Sequence, residues 1–272
     1  MKGLIRGDGM DLGLKGKVAV IMGGTSGVGL KTAEIFLGEG AKVAICGRSK
    51  ERADKALKHL LTYGKSEDLF AATCDVTSKE EVNAFIQQTA EKFGGIDTLV
   101  NAAGQSVMGH FFDITDEQWQ EQIELKYFAI IYAVRAAHPY LVKRGGGRII
   151  NINATLAKEP ERHMVATAAT RAGLLNLSKT LSQELASDNI LVNSVSLGLI
   201  RTDQWERRRL KNAPDMDPEE YYKDLAIKRN IPLGRVGEAE EVASVIVFLA
   251  SDKASYVAGS TIETAGAIGK AL

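Results

Sequence analysis

The stretch VAVIMGGTSGVGLKTAEIFLGEGAKVAICG, residues 18–47, narrows the possible folds further than any other part of the chain. VAVIMGG (18–24) is a continuous apolar run that stops at glycine, the pattern of a strand covered on both faces. GLKTAEIFLGEG (29–40) places apolar residues at helical spacing and closes on Gly40, and KVAICG (42–47) is a second apolar strand. Strand, helix and strand in this compass make a βαβ unit, which belongs in a parallel sheet with covered faces. In the connecting GGTSGVG (23–29), Gly23 or Gly24 serves a tight turn and Gly27 removes a side chain where backbone must approach a diphosphate. Gly29 lets helix pack closely on sheet, and the unsatisfied N–H groups of the helix N-terminus suit the anion. A glycine-rich turn alone is weak. Flanked by its strand and helix, it predicts a dinucleotide site at Gly23, Thr25, Ser26, Gly27, Val28 and Gly29.

The alternation continues. ERADKALKHLLTYG, SKEEVNAFIQQTAEKFG, TDEQWQEQIELKYFAIIYAVRAAHPYLVKRG, residues 165–187 and EAEEVASVIVFLA read as helices. LFAATCDV, IDTLVNAAG, GRIININA, NILVNSVSLG and STIETAG read as strands. Ser78 with Glu81, and Thr115 with Gln118, have capping-box spacing at two helix starts. The result is an α/β fold: a single doubly wound Rossmann-type domain over residues 13–272, with a mostly parallel seven-stranded sheet flanked by helices. Residues 1–12 read as a flexible N-terminal extension. Between 201 and 230 charges crowd into WERRRLKNAPDMDPEEYYKD, predicting one or two helices off the sheet. This charged excursion reads as a lid over a crevice, with Trp205 packing inside it, or as a plain solvated segment.

Composition excludes several classes. With 34 basic and 34 acidic residues the chain has no net field to attract nucleic acid or an anionic membrane. MKGLIRGDGMDLGL lacks a signal-peptide core and no apolar run is long enough to span a bilayer, so a cytoplasmic protein is expected. Cys46 and Cys74 lie in apolar strand-like runs and read as buried free thiols; no metal site is expected.

At the end of the second strand stand Gly47, Arg48, Ser49 and Lys50, where an NAD-preferring site offers an acid to the ribose. A guanidinium suits a 2′-phosphate and gives a free 2′-OH no acceptor. NADP(H) is therefore favoured, through Arg48 and Ser49. NAD(H) stays open if Arg48 is only a surface charge at a helix start.

With these segments in order, the chain resembles the short-chain dehydrogenase/reductase family over nearly its whole length. GGTSGVG is similar to the family's TGxxxGxG turn, with Met22 replacing Thr. CDV (74–76) resembles the segment whose aspartate, here Asp75, holds the adenine amino group beside Val76. The run from Asn101 to Gly104 resembles the NNAG strand end, implying cofactor contacts at Asn101, Ala102 and Gly104. VNSVSLGLIRT (192–202) resembles VNxVxPGxxxT, with Leu197 for proline; it implies contacts at Gly198 and Ile200 and puts Thr202 near the nicotinamide carboxamide. The late ETAG stands where the family has VDGG. The resemblance further implies a homodimer or homotetramer, built on the long helix and the helix carrying the small residues from Ala166 to Gly173.

The family's Asn, Ser, Tyr and Lys tetrad falls, in this register, on Lys126, Ala154, Thr167 and Arg171, with AGLLNLSKTLSQELA holding the register downstream. An aliphatic hydroxyl does not ionise near neutral pH, and alanine donates no hydrogen bond. Arg171 shares a helical face with Thr167 and is a permanent cation, suited to ribose hydroxyls or a substrate carboxylate. Lys126, its pKa lowered by burial beside Arg171, and His163, four residues before Thr167, are candidate proton-transfer groups. Asn153 is a candidate to orient a substrate oxygen, and Glu161 to polarise His163 or pair with Arg162. His110 is a less favoured acid, and Met164 reads as pocket wall or core. The function expected is NADP(H)-dependent oxidoreduction of a carbonyl, alcohol or activated double bond in a small substrate, anionic ones fitting two cations best. The alternative is a catalytically inactive protein that binds a nucleotide or a partner.

Overall fold

In the computed structural model, which describes residues 10–269, β1 (Val18–Met22) is buried at every position. Residues 1–9 of the expected extension lie outside the described residues, while the Leu12 carbonyl already accepts from the Asp252 N–H at 3.2 Å. α1 (Gly27–Gly38) returns the chain to β2 (Lys42–Gly47), which pairs parallel with β1 from Val18↔Lys42 to Met22↔Cys46. There follow α2 (Lys50–Leu60), β3 (Leu69–Thr73), α3 (Lys79–Phe93) and β4 (Thr98–Asn101). The Ser78 hydroxyl caps α3 at the Glu81 N–H, but the Glu81 carboxylate accepts from the Asp75 N–H at 2.9 Å, so only half of that expected box forms. The box of Thr115 and Gln118 is complete.

The long helical region is not one helix. α4 (Asp116–Ile123) passes through a π-helical turn, Glu124–Phe128, into α5 (Ala129–Lys143). Such turns are frequent at functional sites, and this one carries Lys126. β5 (Gly147–Ala154), α6 (Val165–Glu184) and β6 (Ile190–Leu197) complete the centre of the sheet. β7 (Ile200–Arg201), α7 (Asp203–Asn212), α8 (Pro218–Lys228), β8 (Gly237–Glu238), α9 (Ala239–Ala250) and β9 (Thr261–Thr264) follow. The small parallel pair of β7 with β8 has too few residues to show a periodicity in sequence.

Strand order is β3-β2-β1-β4-β5-β6-β9, every pairing parallel. Alternation along each strand divides two cores. Val18, Val20, Leu99 and Ile149 meet Phe85, Ile86, Ala133 and Leu141 on one face. Ile21, Ile45, Ile150 and Val195 meet Phe36, Leu60 and Ile246 on the other. The order reverses between β1 and β4, and the crevice at their carboxyl ends is where such sheets take ligands. No helix among the described residues is long and apolar enough to cross a membrane.

Candidate functional site

Sterics at that crevice dictate the glycines. β1 ends at Met22, before the expected Gly24, because Gly23 turns with φ +87° and a Cβ there would lie 2.6 Å from the Ala103 nitrogen. The Gly23 and Gly24 N–H groups both donate to the Cys46 carbonyl at 3.1 Å, tying the turn to β2. Gly27 opens α1 at φ +54°, and a Cβ at Gly29 would sit 2.3 Å from the Gly23 carbonyl oxygen. Ser26 is the N-cap, yet its side chain makes no capping bond, so it leaves the first-turn amides of α1 to another acceptor. Val28 is buried in the sheet core. Thr25 packs on the end of β2, where a Cβ at Gly47 would lie 2.6 Å from its hydroxyl. Thr202 reaches across: its Cγ2 is 3.5 Å from where a Gly27 Cβ would be.

Around this turn the other expected contacts have mixed employment. Arg48 is exposed at the end of β2, while the Ser49 hydroxyl caps α2 at the Arg52 N–H, 3.3 Å away. One Asp75 oxygen accepts from the Thr77 N–H at 3.0 Å and hydroxyl at 2.8 Å, and Val76 is core. Asn101 is buried and donates to Asn151 at 2.8 Å, which donates to the Ser178 hydroxyl at 2.9 Å, a polar chain linking β4, β5 and α6. The Ala102 N–H bonds the Met22 carbonyl. Arg171 lies close against Gly104, its Nη2 only 3.3 Å from where a Cβ would be. Gly198 lies against Ala265, and Ile200 packs into the core.

The second cluster is built on α6, β5 and the π-helical turn. Lys126 is 2% exposed and its ammonium donates to the Gln105 carbonyl at 2.9 Å and to the Gln122 side-chain carbonyl. Burial, and then the Arg171 charge, lower its pKa to about 7. The same Gln122 oxygen accepts from the Thr167 hydroxyl at 3.3 Å. Thr167, 1% exposed, accepts from the Val107 N–H at 3.0 Å and faces the Val107 carbonyl at 3.1 Å. Lys126 and Thr167 therefore pin the loop after β4 onto the helices. Gln122 escaped the sequence reading, although it stands one helical turn before Lys126.

Arg171 donates from Nη1 to the Ile152 carbonyl at 2.6 Å, and burial lowers its pKa to about 10. Its Nε is buried with no partner among the described residues. Asn153, expected to orient a substrate oxygen, is wholly buried: its amide donates to the Arg171 backbone carbonyl at 3.1 Å and accepts from the Ala154 N–H at 2.9 Å. That side chain fixes α6 on β5 instead. Tyr127 does not substitute for a phenol beside Thr167, because its hydroxyl lies at the Ala169 carbonyl, 3.4 Å away, over Gly173. Residues 169 and 173 share the α6 face turned away from 167 and 171.

His163 belongs to a separate group. Its Nε2 is 3.3 Å from Glu161, and the same Glu161 oxygen takes the Arg229 guanidinium, from the end of α8, at 2.6 Å. Arg229, not the exposed Arg162, is thus the cation that Glu161 pairs with. The His163 carbonyl accepts from the Gly109 N–H at 2.8 Å, and Met164 beside it is buried. His110 is exposed, capping the short turn Phe111–Asp113. Cys46 and Cys74 are buried free thiols; the Cys46 thiol is pushed up by its hydrogen bond to Cys74 and by burial.

Residues 23–266 match the family model described as enoyl-(acyl carrier protein) reductase. The chain is 35% identical over 254 residues to a 3α-hydroxysteroid dehydrogenase of Mediterraneibacter gnavus, covering 93% of this chain and 97% of that one. Among solved structures it is similar to a Pseudomonas aeruginosa short-chain oxidoreductase containing an atypical catalytic centre, at 39% identity and TM-score 0.92, over 96% of this chain and all of that one (100%). The NADPH-bound form of that protein matches at TM-score 0.89, over 94% of this chain and 98% of that one. L-sorbose reductase of Gluconobacter frateurii, complexed with NADPH and L-sorbose, matches at 35% identity and TM-score 0.92, over 97% and 100% of the two chains. Fold, glycine turn and these matches together define the class: this chain belongs to the short-chain dehydrogenase/reductase family of oxidoreductases.

Proposed function

We propose that the chain binds NADP(H) in the crevice beside the glycine turn and reduces a carbonyl or activated double bond, or oxidises an alcohol, of a small substrate, with Lys126 moving the proton. Bound there, the dinucleotide supplies or accepts hydride. The residues fit it. Two left-handed glycines open the mouth of α1, and Arg171, lying close against Gly104, keeps a buried Nε without a partner among the described residues. The α1 amides would hold the diphosphate, Arg48 the 2′-phosphate, Asp75 the adenine amine and Arg171 the ribose. NADPH in the Pseudomonas and Gluconobacter relatives supports the choice of dinucleotide.

The observation that carries the proton-transfer reading is Lys126, buried, with a pKa of about 7. An amine poised there exchanges protons at physiological pH, which neither Thr167 nor the guanidinium of Arg171 does. Reduction should therefore slow as pH rises through about 7, while oxidation speeds up. NADPH consumption with a carbonyl panel, followed from about pH 6 to about pH 9, tests this. Lys126→Met should abolish that limb and leave NADPH affinity intact; an unchanged profile rules Lys126 out.

One observation favours the inactive alternative: Lys126 and Thr167 are both engaged in holding the loop after β4. Tight NADPH binding without turnover across the panel would establish that reading. Association into a dimer or tetramer is a reading that rests on the family and on the small residues Ala166, Ala168, Ala169, Ala172 and Gly173 of α6.

A further inference from the structure

We infer that Gln122 is a positioning residue for Lys126: its side-chain carbonyl holds the amine in its charged form, against the loop after β4. The inference rests on the oxidoreductase reading and deepens it, since it says what keeps the proton in place before transfer. Gln122 lies near the end of α4, four residues before Lys126, and the two side chains meet across the start of the π-helical turn. Each is 2% exposed.

A buried ammonium must place its N–H groups on acceptors, because bulk water does not reach it. Lys126 donates to two, the Gln105 carbonyl at 2.9 Å and the side-chain carbonyl of Gln122. Both acceptors are uncharged. The nearby acids are engaged otherwise: Glu124 of the same turn accepts from Gln120 at 3.0 Å, and Asp113 of the loop accepts from the His110 N–H at 3.3 Å. From α6 comes a like charge, Arg171, which adds to burial in driving the amine toward neutrality. The two carbonyls oppose those two effects. One belongs to the backbone of Gln105, so the side chain that sets the balance is Gln122. Thr167 also reaches the Gln122 oxygen, at 3.3 Å, but has a nearer acceptor in the Val107 carbonyl at 3.1 Å. The Gln122 oxygen is thereby left chiefly to the ammonium.

Protein labelled with carbon-13 at the lysine Cε reports the charge of Lys126 by NMR without any turnover, and Lys126→Met identifies the signal. In the wild type that signal should titrate near the pKa of about 7. Gln122→Met keeps the length of the side chain and removes the oxygen. It should lower the midpoint by about one to two pH units, the tenfold to hundredfold worth of a charge-assisted bond. Gln122→Glu should raise it by about one to three units, the effect of an opposite charge in contact. NADPH affinity should stay at the wild-type level in both. Midpoints that do not move, or that move the same way in both variants, overturn the role; if Gln122→Met does not fold, Gln122→Glu decides alone. NADPH oxidation with the carbonyl panel separates the two readings. A pH limb that follows the shifted midpoints supports both. Shifted midpoints without turnover, or with a limb that stays in place, keep the hold of Gln122 on Lys126 and overturn the proton-transfer reading. Turnover with a limb near pH 7 and unmoved midpoints does the reverse.

Discussion

The glycine turn after β1 and the cluster around Lys126 border one crevice, yet they obey different rules. At the turn the functional atoms are backbone amides, and the residue types are dictated by space: Gly23 by φ +87°, Gly29 by an oxygen 2.3 Å from any Cβ. In the cluster the polar groups that meet are mostly side chains, set on a π-helical turn and on α6, and their chemistry decides what happens. Lys126, Gln122 and Thr167 form a connected set of hydrogen bonds that reaches the backbone of Gln105 and Val107. A site made of backbone cannot drift without losing its shape, whereas a site made of side chains can be rewired on an unchanged frame.

The sharpest test of the first half is Gly29→Ala. The methyl group meets the Gly23 carbonyl, so turn and helix must part. Overpacking of this kind costs about 1–3 kcal/mol, and displacing the amides should weaken NADPH binding on the order of a hundredfold. Fluorescence titration and urea unfolding measure both; wild-type affinity in this variant would mean that the turn does not hold the dinucleotide.

Lys126→Met tests the second half through stability alone. The lysine's folded pKa of about 7 lies below its free value of 10.5, so across that window the unfolded chain binds the extra proton. Wild-type stability should therefore be lowest and flat below about pH 7, then rise toward about pH 10.5, by at most a few kcal/mol at about 1.4 kcal/mol per unit. The variant should lack that rise. Parallel urea midpoints against pH in both proteins would show an ordinary, charged lysine. Arg48→Glu comes next in size. It should weaken NADPH by about ten- to a hundredfold, the worth of charge-assisted bonds, and NADH far less. Equal loss for both would place Arg48 outside the 2′-phosphate site.

How much of this was legible follows the same division. Short strand-like runs alternating with helical ones marked all seven sheet strands, most of them through the continuous hydrophobic signature that a covered parallel strand leaves. The crevice followed from the glycines. The π-helical turn under Lys126 did not show, because one extra residue in a helix hardly disturbs the hydrophobic period. Nor did the fate of Asn153 and Ser49, whose polar groups look equally free in sequence whether they meet a ligand or cap their own backbone. Glu161 with Arg229 joins residues 68 positions apart, a distance no local pattern carries.

The smallest predicted effect separates the two regions most directly. Thr167→Val keeps the shape of the side chain and removes its hydroxyl, leaving the Val107 N–H and carbonyl without their partner on α6. The cost should be about 1–3 kcal/mol, the penalty for a buried group left unpaired, read from urea unfolding. Amide exchange at Val107 should quicken, because that bond is what holds the loop. NADPH affinity should not change, since the Thr167 hydroxyl bonds Val107 and Gln122 and not the turn amides of α1. Were affinity to fall in step with stability, the hydroxyl would be acting on the dinucleotide, and the crevice would be one cooperative unit in place of a fixed half and a rewired one.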